Sequence, residues 1–276
     1  MASGPWKSRN PQYQTSPRLI SVSKESLSQA AARERKASGE PISVLTAYDY
    51  PTAKLLEEAG VDWLLVGDSL GMVVLGHPDT THVTLADMLH HTAAVARGAT
   101  TTPIIADLPF QTYQSPAQAL ESARALISAG ADAVKLEGGA EMTPQIRAIA
   151  EAGIPIMGHI GMLPQSVLLE GGYKKKGKTP DDAARLVEDA RAIEAAGVFA
   201  MVLELVVPEA ASRIREALDV PTIGIGSGPD CDGQVLVTSD LVGGFPWFTP
   251  RFVRPLDNIG ERVRDAAKRF RESLKK

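Results

Sequence analysis

From residue 41 onward, short continuous apolar runs alternate with longer stretches of helical period. The apolar runs cover 42–47, 63–67, 103–107, 133–137, 155–159, 199–204 and 221–225. Strands buried on both faces read this way, which predicts a parallel sheet covered by helices. The spacing predicts helices over 116–129, 180–196 and 209–218. Several helices end in Ala-Gly just before the next strand: Ala59-Gly60, Ala129-Gly130, Ala152-Gly153 and Ala196-Gly197. Glycine after a helix tolerates a positive φ, so this punctuation fits tight turns back into the sheet.

Seven such units without a Gly-rich dinucleotide fingerprint after the first strand favour a closed (β/α)8 barrel over a doubly wound sheet. Strand eight has two candidates. Either 233–238 forms it, or that stretch is a short helix and the strand follows near 241–245. Residues 23–38 are predicted to form a helix capping the barrel bottom. The tail 258–275 carries Ile259, Val263, Ala267, Phe270 and Leu274 at helical spacing, so it is expected to pack on the barrel exterior or on a neighbouring subunit. The organisation read from the chain is an N-terminal extension and capping helix over 1–40, then a barrel catalytic domain over 41–276.

Polar groups collect at the C-terminal ends of the strands, where barrel enzymes place their sites. They are Tyr48-Asp49, Asp68-Ser69, Asp107, Lys135 with Glu137, His159, and Glu204. Residues two apart on a strand share a face, so Lys135 and Glu137 point into the mouth while Val134 and Leu136 face the helices. Asp68, Asp107 and Glu137 are then expected to converge, and such a cluster stays ionised only with a cation nearby. A hard divalent ion such as Mg²⁺ answers that need through oxygen ligands. Blander readings stand beside this one. A strand-end Asp also suits a helix N-cap, Lys135–Glu137 also suits a structural ion pair, and His159 also suits a satisfied core histidine.

Composition narrows the classes. A chain of 276 residues, 44% hydrophobic and 22% charged, suits one barrel. A net charge of −4 argues against a nucleic-acid partner. No apolar run reaches a membrane span, and residues 1–22 lack a secretory apolar core. The lone Cys231 allows no intrachain disulfide. Together these give a cytoplasmic reading, with an organellar transit role for the N-terminus as the alternative. The glycine-rich stretch 224–228 suits a phosphate cradle or a tight turn equally. The basic loop 171–178 suits a lid, an anion contact or a solvated surface. His90-His91 is read as packing.

Several motifs together resemble one family. LTAYDY (45–50), LLVGDSLGMVVLGHPDTT (64–81), ADLPF (106–110), VKLEGG (134–139), GHIGMLPQS (158–166), GGYKKKGKT (171–179), VLE (202–204) and IGIGSGPDCDGQVLV (223–237) occur in order. As a set they are similar to the ketopantoate hydroxymethyltransferase family. That resemblance implies a phosphoenolpyruvate/pyruvate-like TIM barrel and a homo-oligomer, typically a decamer. It also implies Mg²⁺ or another divalent ion, with 5,10-methylenetetrahydrofolate as co-substrate. By position, Asp68 and Asp107 look like metal ligands with Glu137 beside them. Ser69 and Lys135 look like contacts to the oxo acid, His159 and Tyr48 like pocket residues, and Glu204 like the base. The implied reaction carries a hydroxymethyl group to 3-methyl-2-oxobutanoate through a metal-stabilised enolate, giving 2-dehydropantoate for pantothenate synthesis. The rival is a folate-independent, Mg-dependent C–C lyase or mutase of small 2-oxo acids. Departures from the family pattern gather elsewhere: Lys175-Lys176, Ser239 before Asp240, Pro208, the stretch 243–255 and the C-terminal ending.

Overall fold

The computed structural model describes residues 24–275. The loose extension expected over 1–22 lies outside those residues. Eight parallel strands close into a barrel in chain order: β1 (Ile42–Thr46), β2 (Trp63–Val66), β3 (Ile104–Asp107), β4 (Ala133–Lys135), β5 (Ile156–Gly161), β6 (Ala200–Glu204), β7 (Thr222–Ile225) and β8 (Gly233–Leu236). β8 pairs with β7 on one side and β1 on the other. The first candidate for strand eight is therefore the strand. The alternative at 241–245 falls away, because Thr238–Leu241 is a single helical turn and no strand follows it among the described residues. No helix intervenes between β7 and β8.

The expected helices form for local reasons. Helix α1 (Gln29–Ser38) starts at the Ser28 cap. Helix α2 (Tyr50–Glu58) starts at Asp49, whose carboxylate accepts the Thr52 N–H. Helix α3 (Leu70–Val73) is one turn, and α4 (Leu85–Gly98) opens on a Thr84–Asp87 capping box. Helices α5 (Pro116–Ala129) and α8 (Pro180–Ala196) each have a Ser or Thr cap and a proline at the first turn. Each ends at a glycine of positive φ, 112° at Gly130 and 120° at Gly197. Helices α6 (Thr143–Glu151), α7 (Val167–Glu170) and α9 (Pro208–Ala217) complete the run before β7. α2, α4, α5, α6, α8 and α9 pack side by side around the barrel in that order.

Strand parity divides the core in two. Ile42, Val44, Trp63, Leu65, Ile105, Ala133, Met157, Ala200, Val202, Ile223 and Val235 fill the barrel interior. Their neighbours Leu64, Val66, Ile104, Ala106, Val134, Leu136, Ile156, Met201 and Leu203 join the layer under the helices. α1 closes the interior from below: Leu27 and Ala32 join the inner cluster. Lys36 donates to the carbonyls of Arg215 (2.7 Å) and Leu218 (2.8 Å). The last helices are α10 (Thr238–Leu241) and α11 (Ile259–Ser273). α11 has the expected span but buries no residue. Ile259, Val263, Phe270 and Leu274 are 40–68% exposed, so the expected packing on the barrel's own exterior is not observed. Among the described residues no helix is long and apolar enough to cross a membrane.

Candidate active site

The inward parity that fills the barrel continues to its C-terminal rim. Asp107 follows Ile105 on the inner face, Lys135 and Glu137 follow Ala133, His159 follows Met157, and Glu204 follows Val202. β3 and β4 pair Asp107 directly with Lys135, which sets the ammonium 2.9 Å from Asp107 Oδ1. Asp68 lies just beyond β2, and its backbone N–H donates to Asp107 Oδ2 at 3.0 Å. Gly67 holds the inward position between them. A Cβ there would sit 2.9 Å from Ser69 Oγ and 3.6 Å from Asp107 Oδ2, so glycine keeps that space open. Asp68, Asp107, Lys135, Glu137 and His159 are all buried.

Two further residues tie the cluster together, and neither was singled out from the sequence. Gln165 lies in a turn after β5. Its amide nitrogen donates to Asp68 Oδ2 (2.8 Å) and to the Leu108 carbonyl (3.0 Å). Its backbone N–H donates to Glu137 Oε2 at 3.0 Å. Tyr113 donates its hydroxyl to the Gln165 side-chain oxygen. One glutamine thus orients two carboxylates. It lies inside the GHIGMLPQS motif, but an uncharged amide in a loop gives no chemical signal of its own.

Charge crowding dominates the electrostatics. Burial, then the charges of Asp107 and Glu137, hold the Asp68 carboxyl well above the usual carboxylate range, against the pull of Lys135 and Gln165. Burial also acts to raise Glu137, but His159 and Lys135 outweigh it and hold that carboxyl low. Burial disfavours the Lys135 ammonium, yet the three carboxylates lift it above its ordinary value. His159 stands between two acids, with Nδ1 3.4 Å from Glu137 and Nε2 3.4 Å from Glu204. Burial and Lys135 pull His159 down, but Glu137 and Glu204 outweigh them and lift it to about 9.

Two buried atoms keep unused capacity. Asp107 Oδ1 and His159 Nε2 have charged neighbours but no well-directed hydrogen bond. Both residues line a cavity of about 930 Å³ at the barrel mouth, together with Asp68, Ser69, Lys135, Glu137 and Glu204. Among the described residues no three or more His, Cys, Asp or Glu side chains form a cage that could hold a metal ion. A Mg²⁺ ion needs no such cage, since it keeps waters or substrate oxygens in its shell.

The remaining sequence candidates fall outside the cluster or at its edge. Tyr48 is buried, and its hydroxyl meets Ser69 Oγ at 2.8 Å. Asp49 caps α2, and His91 bonds the Tyr48 carbonyl from α4. The stretch 224–228 runs from the end of β7 into a bend, where buried Ser227 donates to the Leu203 carbonyl and accepts from the Val206 N–H. In the basic loop, Lys176 pairs with Glu170 while Lys175 lines the cavity.

The comparison that decides the family covers nearly all of this framework: the ketopantoate hydroxymethyltransferase family model matches residues 27–276. The chain belongs to that family. It is 52% identical over 248 residues to the 3-methyl-2-oxobutanoate hydroxymethyltransferase of Acetivibrio thermocellus, covering 89% of this chain and 88% of that one. The enzyme of the same name from Ignicoccus hospitalis is 52% identical over 239 residues, covering 86% and 90%. Among solved structures the barrel is similar to a phosphonopyruvate hydrolase complexed with oxalate and Mg²⁺ (TM-score 0.61, 16% identity, 90% of this chain and 98% of that one). It is also similar to 2,3-dimethylmalate lyase, a PEP mutase/isocitrate lyase superfamily member (TM-score 0.57, 19% identity, 90% and 87%). At those identities the likeness shows the fold alone, and it bears out the expected (β/α)8 barrel.

Proposed function

We propose that the protein transfers the one-carbon unit of 5,10-methylenetetrahydrofolate to 3-methyl-2-oxobutanoate, giving 2-dehydropantoate and tetrahydrofolate with uptake of water. The reading includes a divalent ion, Mg²⁺ in the first instance, held by Asp68 and Asp107 with Glu137 beside them. One observation carries it: three buried carboxylates meet around a single ammonium, and one of them is forced well above its ordinary range. A cation relieves that crowding, and Asp107 Oδ1, which faces the Lys135 ammonium at 2.9 Å without a well-directed hydrogen bond, offers it a ligand. The names of the relatives support the substrate assignment.

When bound, the ion supplies a Lewis acid for the carboxylate and 2-oxo oxygens of the substrate. Lys135 and Ser69, which both line the cavity, bind the oxo-acid carboxylate and fix its orientation. Glu204 removes the proton from C3, leaving the electron pair on that carbon. A positioned base of this kind contributes about 10²–10⁴-fold. His159 stands between Glu137 and Glu204 and positions Glu204 for the transfer. The C3 electron pair then forms the new bond to the folate methylene carbon as one of that carbon's two C–N bonds breaks. Water supplies the hydroxyl as the second breaks, and the two released nitrogens take up the C3 proton and a water proton. Apolar walls from Val202, Leu205 and Ile225 keep water from the carbanionic carbon.

The same reading includes a homo-oligomer, supported by the exposed apolar stripe of α11. It also includes a cytoplasmic setting, supported by a single half-buried Cys231 whose thiol burial pushes up to about 11. The test is product formation with 3-methyl-2-oxobutanoate, with and without 5,10-methylenetetrahydrofolate, repeated after EDTA. Dependence on both folate and metal is expected. Turnover of small 2-oxo acids without folate would instead favour a lyase or mutase.

A further inference from the structure

The cavity is far larger than the oxo acid. Its volume near 930 Å³ lies at the upper end of the roughly 300–1,000 Å³ that accommodates extended organic ligands, whereas the proposed acceptor is a small branched acid. The additional wall comes from the chain after β8. Phe245, Phe248 and Phe252 line it, together with Asp240, Arg251 and, from the basic loop, Lys175. Phe248 and Phe252 are 60% and 41% exposed, so flat apolar surface is turned to solvent inside a binding cavity. Asp240 is only 7% exposed, and among the described residues burial alone perturbs its carboxyl, which it lifts to about 6. The carboxylate opens on the cavity, and a charged acceptor held there suits a ligand that brings N–H groups. Tyr48 ties this region to the reacting end: after burial, the charges of both Asp107 and Asp240 push its phenol upward. One extended ligand can therefore touch the Asp240 region while reaching the carboxylate cluster.

We infer that Asp240 anchors the pteridine ring of the folate through its N3–H and 2-amino edge, with the phenylalanine wall against the ring system and Arg251 and Lys175 holding the glutamate carboxylates. The two parallel N–H donors of that edge match the two oxygens of a carboxylate, a charge-assisted pairing. Planar rings pack on aromatic side chains, and guanidinium and ammonium groups at the rim recognise carboxylates. This assignment rests on the hydroxymethyl-transfer reading and names the residues on its folate side.

The test measures calorimetric binding of two probes to the full-length, Mg²⁺-loaded protein: tetrahydrofolate, and 6-methyltetrahydropterin, which lacks the benzoylglutamate. Asp240→Asn keeps the shape but puts an amide donor where an acceptor stood. It should weaken both probes about tenfold or more, without a matching loss of oxo-acid affinity. Arg251→Ala, at an exposed rim position, should weaken tetrahydrofolate at least about threefold and leave the pterin unaffected. The assignment is overturned if Asp240→Asn binds both probes within twofold of wild type, or loses oxo-acid affinity equally. It is overturned also if Arg251→Ala weakens the two probes alike. Failure of the wild-type protein to bind either probe is a different result: it removes the folate reading, and this assignment with it.

Discussion

Replacing Gln165 by Met asks how the carboxylates are held. Met is close in size and keeps the backbone N–H that bonds Glu137, so only the side-chain contacts change. The wild-type amide gives one bond to a carboxylate, Asp68 Oδ2 at 2.8 Å, and one to the Leu108 carbonyl at 3.0 Å, while accepting from Tyr113. A buried bond to a charged group is worth about 1.5–3 kcal/mol and a neutral one about 1 kcal/mol. Burial of the thioether returns part of this. The expected net loss is roughly 2–4 kcal/mol of stability. The larger consequence falls on metal affinity. Gln165 is one of two groups that lower the Asp68 carboxyl, against burial and two neighbouring acids. Without it Asp68 rises further, an incoming ion must displace a more tightly held proton, and the ligand loses its orientation. Loss of such an orienting partner typically costs about 10–100-fold in metal affinity. Mn²⁺ titration followed by electron paramagnetic resonance, beside urea denaturation, reads both effects. A folded variant that binds Mn²⁺ within twofold of wild type would refute the reasoning.

In the EDTA-treated protein, the His159 imidazole should titrate near 9 by NMR. Its folded value lies above the usual 6.5, so its stabilisation is fully present below pH 6.5 and fades as pH rises through 9. A midpoint near or below 6.5 would contradict the paired arrangement with Glu137 and Glu204. Gly67→Ala places a methyl 2.9 Å from Ser69 Oγ and should raise the oxo-acid KM about tenfold or more, read by steady-state kinetics. An unchanged KM would contradict the role given to that gap. Phe270→Asp puts a charge on the exposed apolar stripe of α11 and should lower the assembly mass seen by light scattering. An unchanged mass would show that the stripe is not an interface.

Legibility in the sequence followed the physics of each element. Strands buried on both faces are continuous apolar runs, so seven of them stood out, and β8 was blurred because Gln234 faces solvent in a four-residue strand. Lys135 and Glu137 could be aimed into the mouth because parity is a local rule, and Asp107, His159 and Glu204 stood out as polar groups closing apolar runs. Gln165 and Tyr113 did not, since they reach the centre from loops and carry no charge. Asp240 was hidden for a different reason. Only the folded chain brings the post-β8 segment over the mouth and leaves that carboxylate without a partner. The fate of α11 was legible as a pattern but not as a place, because periodicity gives an apolar face and not the surface it meets.

Glu204 bears the central claim most directly. Exchange of the C3 proton of 3-methyl-2-oxobutanoate with D₂O, followed by proton NMR in the presence of Mg²⁺, isolates the first chemical step from the folate. Wild-type protein is expected to exchange that proton and to stop when EDTA is added. Glu204→Gln should still bind the oxo acid but exchange about 10²–10⁴-fold more slowly. Undiminished exchange in that variant would contradict the claim and remove Glu204 from the chemistry.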